Sequence, residues 1–142
     1  MSAYVPTTLR QQIRSQFANC CAYCRTAELL TATTFEFEHI VPLSANGKTV
    51  FSNLCLSCPT CNRHKAARQV GLDPQTGEIV SLFHPQQQSW DDHFAWSSDS
   101  ITILATTSTG RATCMMLNMN RAPLLRVRRL WVKLGEHPPD IG

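Results

Sequence analysis

The sequence lacks any long apolar run, and nothing in its 142 residues approaches the ~20 consecutive apolar residues of a membrane-spanning helix. Its first residues, Met1 to Pro6, lack the basic-then-apolar layout of a secretory leader. The expectation is therefore a cytoplasmic chain with no membrane partner. Charge is scarce as well. Asp, Glu, Lys and Arg make up 16% of the chain, below the usual share of about a quarter. Hydrophobic residues at 43% exclude a disordered chain. No internal repeat and no low-complexity tract is present, which excludes a solenoid. The net charge of +3 permits a polyanionic partner without demanding one. The length suits one domain with a real core, whereas two would each be thin.

What the chain does have is cysteine, seven in all. An odd number leaves at least one unpaired, and in a cytoplasmic chain metal or free thiols are expected before disulfides. Four of them form two Cys-x-x-Cys turns, Cys21 to Cys24 and Cys58 to Cys61. Each turn offers two sulfurs to one ion, and two turns complete the tetrahedral set that structural Zn²⁺ prefers. The segment between Cys24 and Cys58 exceeds the common zinc-ribbon spacer, so the clamp closes around an inserted element. Cys20 competes with Cys21 for a place in the set, and Cys55 with Cys58 forms a further Cys-x-x-Cys. Cys55 falls in an apolar strand pattern, where a buried thiol behaves as a hydrophobe, so Cys58 and Cys61 are preferred. Cys114 reads as core.

Local patterns place these residues. A helix is expected over about 6–18, with Leu9, Ile13 and Phe17 as its apolar stripe. Short strands are expected at 35–37 and 54–56, joined by a loop that turns at Asn46-Gly47. Pro59 suits the first position of a helix running to about Gln69. The inserted element carries Glu38-His39, Asn53 and, just past the second thiolate pair, Asn62-Arg63-His64-Lys65. Glu38 and His39 are adjacent on an extended segment, so their side chains diverge.

Taken together, Cys21-x-x-Cys24, Phe37-Glu38-His39-Ile40-Val41-Pro42-Leu43, Asn53-Leu54 and Cys58-x-x-Cys61-Asn62-x-x-Lys65 resemble an HNH endonuclease. The resemblance implies an α+β fold in which a two-stranded hairpin and a helix form a ββα-metal motif, clamped by a four-cysteine zinc site. It also implies DNA as substrate and phosphodiester hydrolysis, by nicking or cleavage. His39 would be the general base that activates water, a role suited to an imidazole titrating near neutral pH. Glu38 and Asn62 would hold a catalytic Mg²⁺ or Mn²⁺ through oxygen, and the metal would stabilise the leaving 3′ oxygen. Asn53 would hold the loop beneath His39 by backbone hydrogen bonds, and Lys65 and Arg63 would touch substrate phosphate. Glu38 departs from the commoner Asp or His, and Asn62 from the commoner His. His64 is the rival ligand, but on a helix it points about 200° from Asn62. HNH domains that act alone nick one strand, so a double-strand break calls for a homodimer or two events. The rival class is a non-catalytic zinc module that binds nucleic acid or protein, and a thiol redox pair at Cys21 and Cys24 is a weaker one.

Residues 1–70 thus read as the nuclease core with its N-terminal helix, and 71–142 as a strand–hairpin–helix extension packed in the same domain. The extension is expected to hold a strand over 79–83, a hairpin of 94–96 with 101–104, and a helix over about 122–134. Asp91, Asp92 and His93 beside Trp90, Phe94 and Trp96 read as core aromatics with a charged rim. Arg121, Arg126, Arg128, Arg129 and Lys133 read either as a solvated helix face or as a phosphate-tracking surface.

Overall fold

The computed structural model describes residues 4–141; Met1 to Ala3, part of the stretch read for a leader, and Gly142 lie outside the described residues. Helix α1 (Thr7–Gln16) begins after Pro6 and buries Ile13, with Leu9 and Phe17 on the same face. A tight turn through Cys21 and Cys24 follows. Strand β1 (Glu36–His39) then pairs antiparallel with β2 (Leu54–Ser57), Glu38 facing Cys55 and His39 facing Leu54. All four β2 residues are buried, because α1 covers this strand. Helix α2 (Pro59–Lys65) follows directly, capped by the Cys58 sulfur, which accepts from the Cys61 amide.

Helix α2 is shorter than its pattern predicts. It ends at Lys65 because Ala66 turns to a φ of 51°, and Val70–Leu72 are recruited as strand β3. Strand β3 (Val70–Leu72) pairs with β4 (Ile79–Ser81) across a turn built on Asp73. The Asp73 carboxylate accepts from the Gln75 amide (3.0 Å) and the Thr76 hydroxyl (2.9 Å), and takes a two-pronged bond from Arg111 (2.9 and 2.8 Å). That guanidinium holds the Asp73 carboxyl well below the usual carboxylate range. Val70 and Gly71, between which the sequence pattern divides the chain, both lie in β3.

Strands β5 (Phe94–Trp96) and β6 (Ile103–Ala105) form the third hairpin, and helices α3 (Ser108–Leu117) and α4 (Ala122–Lys133) end the chain. The apolar core runs through both halves. Tyr23 meets Phe83 edge-on, Phe83 meets Phe94, and the Trp90 indole donates to the Tyr23 carbonyl at 2.8 Å. Among the described residues Asp91, Asp92 and His93 form no metal-ligating cluster. The basic surface needs correction. Arg128 is fully buried and donates to the carbonyls of Ile101 (3.0 Å) and Met119 (2.8 Å) and to Asn120 Oδ1 (3.1 Å). Only Arg126, Arg129 and Lys133 of that set are exposed.

Candidate metal centre and adjoining site

Cys21, Cys24, Cys58 and Cys61 converge, with all four sulfurs within 4.8 Å of one another and every residue buried. A tetrahedral Zn²⁺ with Zn–S near 2.3 Å requires sulfur–sulfur edges of about 3.8 Å. Cys24 Sγ and Cys58 Sγ are 3.8 Å apart. The donor set fits zinc by size and by chemistry, and four thiolates leave no open position for substrate. The local fold explains the convergence. Cys21 and Cys24 lie in a turn pinned by backbone bonds from the Ala22 amide to Leu56 (2.8 Å) and the Cys21 amide to Thr26 (2.9 Å), while Cys58 and Cys61 straddle the start of α2. Cys20 is excluded by its bond to the Ala18 carbonyl (3.4 Å), and burial pushes its thiol up to about 11. Cys55 stands opposite Glu38 on β2, and its thiol bonds to Glu38 and Tyr23 instead.

Strand β1 presents Glu38 and His39 to opposite sides, as alternation requires. Glu38 points inward and is 4% exposed. Its Oε1 lies 2.7 Å from Lys65 Nζ and accepts from the Tyr23 hydroxyl at 3.2 Å, while Oε2 takes the Cys55 thiol at 3.5 Å. Lys65 is 1% exposed and gives a second donor to the Ile40 carbonyl at 3.1 Å. Burial, then the neighbouring Cys55 and Glu38, push the Tyr23 phenol well up, so it remains a donor. Two expectations fail here. Lys65 does not face a substrate phosphate, because its ammonium neutralises a buried carboxylate. Glu38 and Asn62 do not converge, because the Asn62 side-chain amide donates instead to Glu36 Oε1 at 2.8 Å. A catalytic Mg²⁺ or Mn²⁺ on Glu38 and Asn62 does not fit this arrangement, since a cation already faces Glu38. His64 and Arg63 are both exposed on α2.

His39 turns outward and is half-buried, with Nε2 2.9 Å from the Thr49 hydroxyl. Burial lowers its pKa below the ordinary imidazole value, opposed by the Glu38 charge. The ring is therefore neutral at pH 7 and able to accept a proton. Thr49 is placed by a loop that Asn53 ties shut. Asn53 Oδ1 accepts from the Val41 amide (2.8 Å), and its Nδ2 donates to the carbonyls of Val41 (3.0 Å) and Lys48 (3.0 Å). Within the loop a Cβ on Gly47 would stand 1.7 Å from the Val41 carbonyl oxygen, so the close approach of the two loop arms requires glycine.

Sequence reasoning missed Tyr23, Cys55 and Glu36, which determine where the acidic and amide groups go, and Thr49, which holds His39. It also missed Arg121, whose Nη1 and Nη2 reach Cys61 Sγ and Cys58 Sγ, each at 3.6 Å. Nothing near Arg121 in the sequence signals that contact, which spans 60 residues of chain.

The fold and site define a ββα unit of β1, β2 and α2, gripped by a four-thiolate cluster that could bind zinc, within an α+β chain. Residues 21–68, about a third of the chain, match the family model described as HNH endonuclease. No curated protein and no solved structure matches the chain. The family match points to nuclease-type activity on nucleic acid.

Proposed function

We propose that the protein is an endonuclease that hydrolyses DNA phosphodiester bonds, with His39 as the general base. The observation that carries this reading is the isolation of His39. It is the one member of the Glu38–His39 pair that faces outward, it is neutral, and its ring is fixed through Thr49 by the Asn53-tied loop. The thiolate cluster joins the start of α2 to the Cys21–Cys24 turn, which is itself bonded to β2, so the hairpin that carries the base has a rigid support. In the reaction the imidazole takes a proton from water as the new phosphorus–oxygen bond forms. The bond to the 3′ oxygen breaks and that oxygen leaves with a proton from solvent. Exposed Arg63 is available to a phosphate, whereas Lys65 supports the site from within.

The test is nicking of supercoiled plasmid by the zinc-loaded protein with added Mg²⁺ or Mn²⁺, which also reads the metal requirement implied by the resemblance. Wild type is expected to nick, and His39→Ala to lose activity by about 100-fold or more, as removal of a general base does. Equal DNA binding by both proteins with no nicking by either would refute the enzyme and leave the rival, a non-catalytic zinc module that binds nucleic acid. The Glu38–Lys65 pair favours that rival, since it withdraws a carboxylate from the surface.

A further inference from the structure

The thiolate cluster carries more negative charge than a zinc ion removes. Four thiolates and one Zn²⁺ leave a net charge of −2, and all four cysteines are buried. Burying such a charge is costly unless cations and hydrogen-bond donors meet it. The nearest backbone donor, the Cys61 amide, reaches only Cys58 Sγ, at 3.4 Å. The Thr26 hydroxyl, 3.2 Å from Cys24 Sγ, is a further neutral donor once that sulfur is a thiolate. The cation that reaches the sulfurs is Arg121. Its guanidinium forks across the cluster, one nitrogen to Cys61 Sγ and the other to Cys58 Sγ, both at 3.6 Å. The same Nη1 donates to the carbonyls of Leu117 (3.5 Å) and Asn118 (3.3 Å) at the end of α3, and Arg121 is itself the N-cap of α4.

We propose that Arg121 is the outer-sphere cation of the zinc site, a positioning residue that damps the charge on Cys58 and Cys61. By the same contacts it fastens the α3–α4 junction to the metal. This proposal rests on zinc occupying the four cysteines and is independent of the nuclease reading. A planar fork suits the task because two N–H groups reach two sulfurs at once, which a lysine ammonium on a flexible stem does not reproduce. Partners of this kind commonly shift metal affinity by about 10–100-fold when removed.

The test compares zinc-loaded and Co²⁺-substituted full-length wild type, Arg121→Met, Arg121→Lys and, as a control on the exposed face of α4, Arg126→Met. Release of zinc to a colorimetric chelator is expected to be about 10-fold faster or more in Arg121→Met. It should be intermediate in Arg121→Lys and unchanged in Arg126→Met. The thiolate-to-cobalt charge-transfer band is expected to shift in Arg121→Met, a change that loss of packing alone does not produce. A folded Arg121→Met with wild-type release and an unmoved band would overturn the proposal. If that variant fails to fold, Arg121→Lys decides: wild-type release and an unmoved band refute the proposal. Wild-type protein that takes up neither zinc nor cobalt refutes the site itself, and with it the role of Arg121.

Discussion

Removing the Lys65 ammonium is the most revealing perturbation of the site. Lys65→Met keeps an unbranched side chain one atom shorter and deletes the charge that faces Glu38 at 2.7 Å. The carboxylate would retain only the Tyr23 hydroxyl and the Cys55 thiol inside a pocket where both ionic partners are nearly inaccessible. Breaking a buried pair from one side typically costs about 3–5 kcal/mol, because the remaining charge is left uncompensated. At about 2.1 cal/mol/K per residue, a chain of this length has an unfolding entropy near 0.3 kcal/mol/K. The single variant should then melt about 10–17 °C lower. Glu38→Met should cost a similar amount by stranding the ammonium. The double variant Glu38→Met with Lys65→Met should recover most of the loss, since replacing both members of a buried pair by apolar groups is often neutral. Calorimetry of the zinc-loaded proteins reads all four corners of the cycle. Single variants that each cost under about 1 kcal/mol, or a double variant that loses the sum of the two, would refute the assignment of Glu38 and Lys65 as a structural pair. A Glu38→Gln variant of wild-type stability that loses metal-dependent nicking would instead restore Glu38 as a metal ligand.

Three further outcomes follow from the same geometry. Asn53→Ala removes three hydrogen bonds from the His39 loop and should cost about 2–4 kcal/mol, with a larger loss of nicking than Lys48→Ala, whose backbone carbonyl survives; thermal melts and plasmid nicking measure both. Single-turnover rates between about pH 5 and 8 should rise through an inflection below about 6.5 and then level, because burial lowers the His39 pKa and only the neutral ring accepts a proton. The sign for stability is the same: an imidazole protonated in the unfolded chain but neutral in the fold makes stability fall as pH drops below about 6.5, and an inflection above that value would contradict the burial of His39. Stripping zinc should abolish the cooperative unfolding transition, since structural zinc contributes about 10–16 kcal/mol in small domains and whole domains are stable by only about 5–15; circular dichroism during chelation and zinc readdition checks it.

The hairpin and the helix of the ββα unit are legible in the sequence because their signals are local. Pro59 marks the start of α2, alternation marks β1, and the two Cys-x-x-Cys turns mark themselves. The selection of Cys21 and Cys24 with Cys58 and Cys61 is legible too, the exclusion of Cys55 following from the apolar pattern of β2. The early end of α2 is not, because Val70–Leu72 are drawn into pairing by Ile79–Ser81, and a helix-compatible pattern loses to a tertiary one. Arg128 looks like surface in the sequence for the same reason: its three acceptors lie on Ile101, Met119 and Asn120, none of which its own helix announces.

The partners of Glu38 and Asn62 are legible in principle, from periodicity alone. Residues two apart on a strand share a face, so Glu36 and Glu38 point the same way. Residues three apart on a helix also share a face, so Asn62 and Lys65 do as well. When β1 and α2 pack, these faces meet in two rungs, and the structure forms Asn62 with Glu36 and Lys65 with Glu38. Pairing Glu38 with Asn62 instead would cross the rungs and leave the buried Lys65 ammonium with the Ile40 carbonyl but no counter-charge. The outer rung is the one that reaches solvent, since Glu36 is exposed, whereas the inner rung is sealed by Tyr23 and Cys55. Charge inside the unit is therefore balanced from its own helix at Glu38 and from the distant Arg121 at the thiolates. That division explains why the first half of the chain carries every recognisable motif yet cannot be electrostatically complete without the second.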